Sequence, residues 1–286
     1  MDGLVLDRIS IEDVGVNPRR LAEAIHDQLP GLSGAVPVRE IALALDIVEI
    51  REERLSTLEA ALLTTPERNY GSILLNLSSS RQRRRFSLAH ELLHFLNPLH
   101  KQTSSEGFQC SHADMRAMVA TNDRHMRQEA EANEFAIELL TPRLRLKPFL
   151  RTSPHLVTVL RIADEFDVSK EAAARRYVQL HDDCLAVVFT RDRKVMYWDC
   201  SKEFPKPMPR RGDVCGIPVL APGSLSDIEE ADAGEWLLHS PDAHLTIQTL
   251  GQANGYAVTL FCADVRDEDD NPGFDDAVDR FSRLNP

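Results

Sequence analysis

The chain has 286 residues, of which 43% are hydrophobic and 27% are charged. These proportions are typical of a soluble globular protein and exclude a collagen-like, coiled-coil or wholly disordered chain. The longest apolar runs have about five residues, whereas a membrane-spanning helix needs about 20. The first residues also lack the pattern of a secretory signal. We therefore expect a cytoplasmic protein of two or more domains with no membrane contact.

The net charge of -12 is unevenly distributed along the chain. Residues 1–181 carry 23 basic and 25 acidic side chains, whereas residues 182–286 carry 10 and 20. The acidic last third is therefore a poor candidate for binding nucleic acid. The five cysteines are scattered without a C-x-x-C pair, which favours buried reduced thiols over disulfides or a cysteine-based zinc site.

Hydrophobic periodicity predicts helices and a small sheet in the first part of the chain. Helices are predicted over 18–29, 38–45, 81–96 and 126–140, and strands over 46–50, 58–63 and 72–75. Ser80 and the two serines before it can cap the third of these helices. The polar stretch from Lys101 to about Ala113 predicts a loop.

The second half begins with two predicted helices, over 154–166 and 170–180, joined by a tight turn. From Cys184 onward the pattern is that of strands. Two hairpins are predicted, L-A-V-V-F with V-M-Y-W, and H-L-T-I-Q-T-L with Y-A-V-T-L-F-C-A-D-V.

The residues that carry chemistry are His90-Glu91-Leu92-Leu93-His94, inside the helix predicted over 81–96. Side chains at i and i+4 lie on one face of a helix, so both imidazoles can bind one metal ion. Glu91 is then placed to act as general base on metal-bound water. Apolar residues flank the motif, and buried histidines without partners would be unfavourable. A zinc site is therefore predicted, although manganese or iron can use the same ligands.

Two residues compete for the position of the third ligand that a catalytic zinc needs. His100 lies six residues after the second histidine, which matches metzincin spacing except that Asn97 replaces a glycine. Glu129 lies in a second predicted helix, where Asn133 at i+4 can hold a ligand histidine. Glu138, on roughly the same face, is a weaker alternative. From the residues alone, His100 and Glu129 both stay open.

Two segments resemble the ImmA/IrrE family of zinc metallopeptidases. They are R-R-F-S-L-A-H-E-L-L-H-F-L at 84–96 and E-A-E-A-N-E-F-A-I-E-L-L-T-P at 129–142. A small sheet before them and a helical pair after them also fit the family, and the resemblance covers about residues 20–181.

The resemblance implies His90, His94 and Glu129 as zinc ligands and Glu91 as general base. It further implies that the protein cleaves, or triggers cleavage of, a helix-turn-helix repressor and so switches on stress, phage or mobile-element genes. We accordingly predict an α+β chain with three parts. These are a zincin-like metallopeptidase core (1–142), a helix-turn-helix-like segment (143–181) and a strand-rich, mainly antiparallel, sensor-like domain (182–286).

Three further features each allow two interpretations. The strand at 71–76 either pairs with an extended substrate at a sheet edge or is a core strand. The helical pair lies in a segment, 142–180, that holds eight basic and four acidic side chains. It either binds DNA or, as better fits an acidic protein, completes the core or docks the repressor. His112 and His125 are either surface residues or stabilise an oxyanion.

Two functions remain to be distinguished. The first is a zinc endopeptidase that cleaves or inactivates a partner repressor. The alternative is a non-catalytic regulatory module with structural zinc that binds a repressor or DNA. In the alternative, changes at Arg175 or Arg176 would abolish the biological output, whereas Glu91→Gln would not.

Overall fold

The computed structural model describes residues 3–102, 107–111, 114 and 123–264. The chain divides into two compact units, one formed by 1–153 with 157–180 and the other by 154–156 with 181–286. Helices and a sheet occur in both units. The predicted α+β class is therefore confirmed.

Three helices and a mixed sheet open the first unit. The helices are α1 (Arg8–Glu12), α2 (Pro18–Asp27) and α3 (Val38–Ala44). The strands are β1 (Ile47–Glu53), β2 (Leu58–Thr64), β3 (Gly71–Asn76) and β4 (Phe108–Ser111). Their order is β1-β3-β2-β4, with β1 parallel to β3 and the other pairs antiparallel.

The strand order decides between the two interpretations of the segment at 71–76. Because β3 pairs with β1 on one side and β2 on the other, it is a central strand. Its interpretation as the edge that receives substrate is therefore wrong, and the core-strand interpretation holds. The edge position next to β2 is taken by β4.

Strand β4 lies where the sequence predicted a loop. Phe108 and Cys110 are buried, whereas Gln109 and Ser111 are partly exposed, which is the period-2 pattern of a half-buried strand. Gly107, at φ +107°, leads into it, and a Cβ there would lie 2.4 Å from the carbonyl oxygen of Leu62. Only glycine allows this close approach to β2.

Five further helices occur in the described part of the first unit. They are α4 (Arg81–Leu96), α5 (Arg124–Leu140), α6 (Arg143–Leu150), α7 (Leu156–Phe166) and α8 (Lys170–Leu180). As predicted, α4 begins after Ser80, whose side chain accepts a hydrogen bond from the backbone N–H of Arg83. The sequence analysis missed α6, which contains Pro148, a residue that is unfavourable inside helices.

Arginines at the start of α4 hold this helix in place. Arg81 and Arg85 form ion pairs with Asp167, at 2.8 and 3.2 Å, in the turn between α7 and α8. Arg84 pairs with Glu52 of β1 at 3.2 Å. Cations near a helix N-terminus oppose the helix dipole, and these carboxylates offset that repulsion. The helix is thus tied to both the sheet and the helical pair.

A buried ion pair joins α5 to α8. The Arg176 guanidinium donates hydrogen bonds to both carboxylate oxygens of Glu138, and the two side chains are 2% and 4% exposed. Arg143 donates to the same carboxylate from the surface side. Arg176 therefore lies inside the unit and does not face DNA, and Glu138 is engaged with arginines and is not a metal ligand.

The second unit is built on an antiparallel sheet. Its elements are β5 (Leu185–Arg191), β6 (Lys194–Cys200), β7 (Glu229–Ala231), α9 (Ala233–Trp236), β8 (His244–Gly251) and β9 (Tyr256–Asp264). The strand order is β6-β5-β9-β8-β7, and both predicted hairpins are present. Trp198, Trp236 and Phe261 pack together at its core. Among the helices of the described ranges, none has the length and apolar character needed to cross a bilayer.

Removal of one side of the buried ion pair should destabilise the first unit. In Arg176→Ala, Glu138 keeps Arg143 but loses its buried partner, and we expect the free energy of unfolding to fall by roughly 3 kcal/mol. Urea denaturation measures this change. Arg151→Ala, at an exposed position, is the control and should alter stability by less than about 0.5 kcal/mol. Equal effects of the two changes would contradict the assigned role.

The same pair should make stability depend on pH. Burial alone would raise the pKa of Glu138, but Arg176 and Arg143 outweigh it and hold this pKa below its usual value of 4.5. The stabilisation is therefore present above pH 4.5 and is lost as the pH falls through the lower folded-state pKa. The stability difference between wild type and Glu138→Gln should shrink in acid, as measured by urea denaturation against pH. Glu171→Gln, at an exposed position of α8 and outside this ion pair, is the control.

Candidate metal centre

Helices α4 and α5 bring three predicted site residues together. The Nε2 atoms of His90 and His94 lie 3.1 Å apart. One carboxylate oxygen of Glu129 lies 3.1 Å from His90 Nε2, and the other lies 3.5 Å from His94 Nε2. All three residues are buried, with 1% exposure or less. Three donor groups therefore face one another inside the unit.

Hydrogen bonds on the outer side determine which nitrogen of His90 carries the proton. The amide nitrogen of Asn133 donates to the carbonyl oxygen of Asp114 at 3.0 Å, so the amide oxygen is the acceptor that faces His90. His90 Nδ1 lies 2.9 Å from this oxygen and donates to it. Its Nε2 therefore presents a lone pair to the cluster. Asn133 thus holds the imidazole as predicted.

A longer series of hydrogen bonds orients His94 in the same way. Glu131 lies 2.9 Å from His100 Nε2, which donates to it, so His100 Nδ1 is an acceptor. His94 Nδ1 lies 2.9 Å from that atom and donates to it. The lone pair of His94 Nε2 is then also directed at the cluster. His100 lies behind His94 and outside the cluster, whereas Glu129 lies within it.

Two lone pairs and a carboxylate that face one another at 3.1–3.5 Å form a site that could hold a cation. Burial lowers the pKa of His94 to about 3, so this ring is neutral. Burial also acts to lower the pKa of His90, but the hydrogen bond and charge of Glu129 outweigh it and raise this pKa. The same contacts outweigh burial at Glu129 and hold its pKa well below the usual range. The cluster therefore attracts one positive charge.

Glu91 lies beside the cluster and differs from Glu129 in its contacts. It is fully buried, and neither carboxylate oxygen has a hydrogen-bond partner within the described residues. Burial is the main cause that raises the pKa of Glu91 to about 7. The nearby thiol of Cys110 is too weak a donor to replace hydrogen bonds to water. An unpartnered buried carboxylate at this place is typical of functional sites.

Cys110 is the site residue that the sequence analysis missed. Its sulfur lies 3.8 Å from His94 Nε2, and the ring of Phe108, two residues earlier, stacks on the same imidazole. Donor atoms of His90, His94, Glu129 and Cys110 all lie within 4.8 Å of one another. These four residues could bind a metal ion. The alternation after Gly107, with Phe108 and Cys110 on one face, was the available signal for a strand here.

Arg68 supports the cluster from the end of α4. Its guanidinium donates hydrogen bonds to the backbone carbonyls of His94, Phe95, Asn97 and His100. These are carbonyls in and just after the last turn, which have no partner within the helix. A cation at this end is also favoured by the helix dipole. Arg68 thus fixes the backbone that carries His94 and His100.

His112 and His125 were each interpreted from the sequence as either a surface residue or an oxyanion stabiliser. His125 lies in the first turn of α5 and is partly exposed, with Nε2 3.3 Å from the carboxylate of Asp114. Its Nδ1 lies 3.5 Å from Glu129, at the border of the cluster. His112 lies outside the described residues. His125 is therefore close enough to the cluster to take part in its chemistry.

A family model matches the part of the chain that contains this cluster. Residues 46–177 match the family model of the IrrE N-terminal-like domain of peptidase M78. This range contains α4, α5 and the four residues of the cluster. A search of curated proteins finds no match.

A solved structure of a Mycobacterium tuberculosis transcriptional regulator is similar in fold. It is 14% identical to this chain, the match covers 90% of this chain and 78% of that chain, and the TM-score is 0.54. At this identity the similarity concerns the fold alone. The match of residues 46–177 to the IrrE N-terminal-like domain confirms the resemblance to the ImmA/IrrE family.

Proposed function

We propose that the chain is a cytoplasmic zinc endopeptidase that cleaves, and so inactivates, a helix-turn-helix transcriptional repressor. The observation that carries this proposal is the buried convergence of His90, His94 and Glu129 beside the unpartnered carboxylate of Glu91. The peptidase-family domain supports the reaction class. A neighbour in fold that is itself a transcriptional regulator supports a role in gene control.

In this proposal His90 and His94 bind zinc through Nε2, and Glu129 binds it through its carboxylate. Their outer hydrogen bonds support these roles, because Asn133 and His100 hold the imidazoles in the tautomer that a metal ligand needs. Manganese and iron accept imidazole and carboxylate as well. The thiol of Cys110 in the same cluster favours zinc over these two harder ions.

When bound, zinc would polarise the scissile carbonyl and lower the pKa of its water to roughly 7. Glu91 accepts the proton of the attacking water and delivers it to the leaving amine. Its oxygens are suited to this task because no described group engages them by a hydrogen bond. His125, held by Asp114, can donate a hydrogen bond to the oxyanion that develops on the substrate.

A second candidate is a non-catalytic regulatory module with a structural metal. The presence of Cys110 favours it, because four protein donors are the usual set of a structural zinc site. Two observations weigh against it. A structural ion has no use for a buried unpartnered Glu91, and burial of Arg176 removes a cation that DNA binding by α8 would use.

Metal content tests the ligand assignment. We expect one zinc per chain in the wild type by elemental analysis and none in Glu129→Ala, because that change removes a ligand. His100→Ala should keep zinc at saturation but bind it roughly 10- to 100-fold more weakly, since only an outer hydrogen bond is lost. Circular dichroism checks folding of each variant. Retention in Glu129→Ala with loss in His100→Ala would reverse the assignment.

Glu91→Gln tests the enzyme against the regulatory module. The variant should bind zinc as the wild type does, while cleavage of the partner repressor falls by at least about 100-fold, because the general base is lost. Cleavage is followed by gel electrophoresis and mass spectrometry. Glu23→Gln, at an exposed position of α2, should cleave normally. If Glu91→Gln cuts the repressor at the wild-type rate, the assigned base is wrong. If the wild type cuts no repressor and Glu91→Gln still switches on the target genes, the module is favoured.

A further inference from the structure

The edge of the first sheet is closed by a strand of the chain itself. Strand β4 pairs antiparallel with β2, with Ala60 opposite Cys110 and Leu62 opposite Phe108. An extended peptide that binds a sheet edge makes the same main-chain hydrogen bonds. One face of β4 is turned to the metal centre, because Phe108 stacks on the His94 ring at 4.8 Å and Cys110 lies next to it.

The donor atoms lie close enough together to surround one four-coordinate ion. Bonds of about 2.0 Å to nitrogen and oxygen and about 2.3 Å to sulfur place tetrahedral zinc ligands roughly 3.3 to 3.7 Å apart. The observed separations are 3.1 Å between the two Nε2 atoms and 3.1 and 3.5 Å from these to Glu129. The Cys110 sulfur lies 3.8 Å from His94 Nε2. All donor atoms of the four residues lie within 4.8 Å of one another, so Cys110 is close enough to serve as a fourth ligand.

A second observation at this place also points to a ligand. The carboxylate of Glu91 is fully buried, and in the ranges described the weak thiol donor of Cys110 is the group next to its otherwise unpartnered oxygens. In a working peptidase that carboxylate faces a water molecule on the metal. The Cys110 thiol lies on the same side of the cluster as this carboxylate. The cluster residues are at most 1% exposed, so no substrate carbonyl reaches them in this arrangement.

We propose that Cys110 is the fourth metal ligand of a resting state in which β4 holds the place of an extended substrate on β2. The inference rests on the proposed function, because it concerns the same metal site. Cys110 gives up its thiol proton when it binds the ion, and takes up a proton when β4 leaves and water replaces the sulfur. A segment of the partner then pairs with the free edge of β2.

Substitution of the metal by cobalt allows a bond between the metal and the Cys110 sulfur to be detected directly. A cysteine bound to cobalt gives an intense charge-transfer absorption in the near ultraviolet, which nitrogen and oxygen ligands do not give. We expect this band in the wild type reconstituted with cobalt, and its loss in Cys110→Ala with one cobalt per chain retained. Cys215→Ala removes a buried cysteine of the second unit and should keep the band.

The outcomes separate this inference from the function on which it rests. One cobalt per chain in the wild type without the band, or a band that persists in Cys110→Ala, would overturn Cys110 as a ligand and leave the proposed metal site intact. A folded wild type that binds neither cobalt nor zinc would overturn both.

Gly107→Ala tests the role of the strand with Cys110 left in place. The added Cβ would lie 2.4 Å from the Leu62 carbonyl, at a φ of +107° that alanine avoids, so β4 should separate from β2. We expect the band to be lost and the amides of β2 that face β4 to exchange hydrogen at least tenfold faster. Gly34→Ala is the control, because φ there is +67° but nothing lies within 4 Å. A band unchanged in Gly107→Ala despite the faster exchange would overturn the coupling of strand and ligand.

Acetohydroxamate tests whether the resting site is closed. This small chelating anion needs an open position on the metal, and its binding changes the visible spectrum of cobalt. It should bind the cobalt forms of Cys110→Ala and Gly107→Ala at least tenfold more tightly than that of the wild type. Equal binding by all three proteins would show an open resting site and overturn the proposal.

Discussion

The position of one proton on each histidine is the constraint on which the site depends. His90 and His94 can direct lone pairs at a common point only if both rings carry their proton on Nδ1. Asn133 imposes this on His90, and His100 imposes it on His94. The pairing of α4 with α5 is therefore specific in hydrogen bonding as well as in shape. It brings the carboxylate of Glu129 to the point at which both lone pairs are aimed.

Arginines hold α4 at both ends, and this explains how a helix with a polar, buried face stays in position. Arg81 and Arg85 tie its start to Asp167, and Arg68 takes up the free carbonyls at its end. Asp167 and Arg68 both have positive φ, at 50° and 54°. Such residues tolerate this conformation only where the surrounding contacts favour it. The ion pairs of Asp167 and the hydrogen bonds of Arg68 with the two ends of α4 are such contacts.

The parts of the structure that could be predicted depend on local sequence. The bounds of α4 follow from its serine cap and from Asn97-Pro98, and the approach of Asn133 to a histidine follows from i, i+4 spacing. Strand β4 could not be predicted in this way, because its four residues gain their stability from pairing with β2, some 50 residues away in the chain. The role of Cys110 depends on that pairing and was missed with it. Similarly, nothing in the sequence around Arg176 shows that its partner is Glu138.

The ion pair between Glu138 and Arg176 has a consequence for the smallest fragment that can fold with an intact site. A fragment that ended at residue 142 would contain every residue of the metal cluster. It would also leave Glu138 buried without its arginines and the start of α4 without Asp167. A buried carboxylate without an arginine partner, nine residues from Glu129 on α5, would lower the stability of the helix that supplies this ligand. The shortest autonomous form of the site therefore extends through α8 to Leu180.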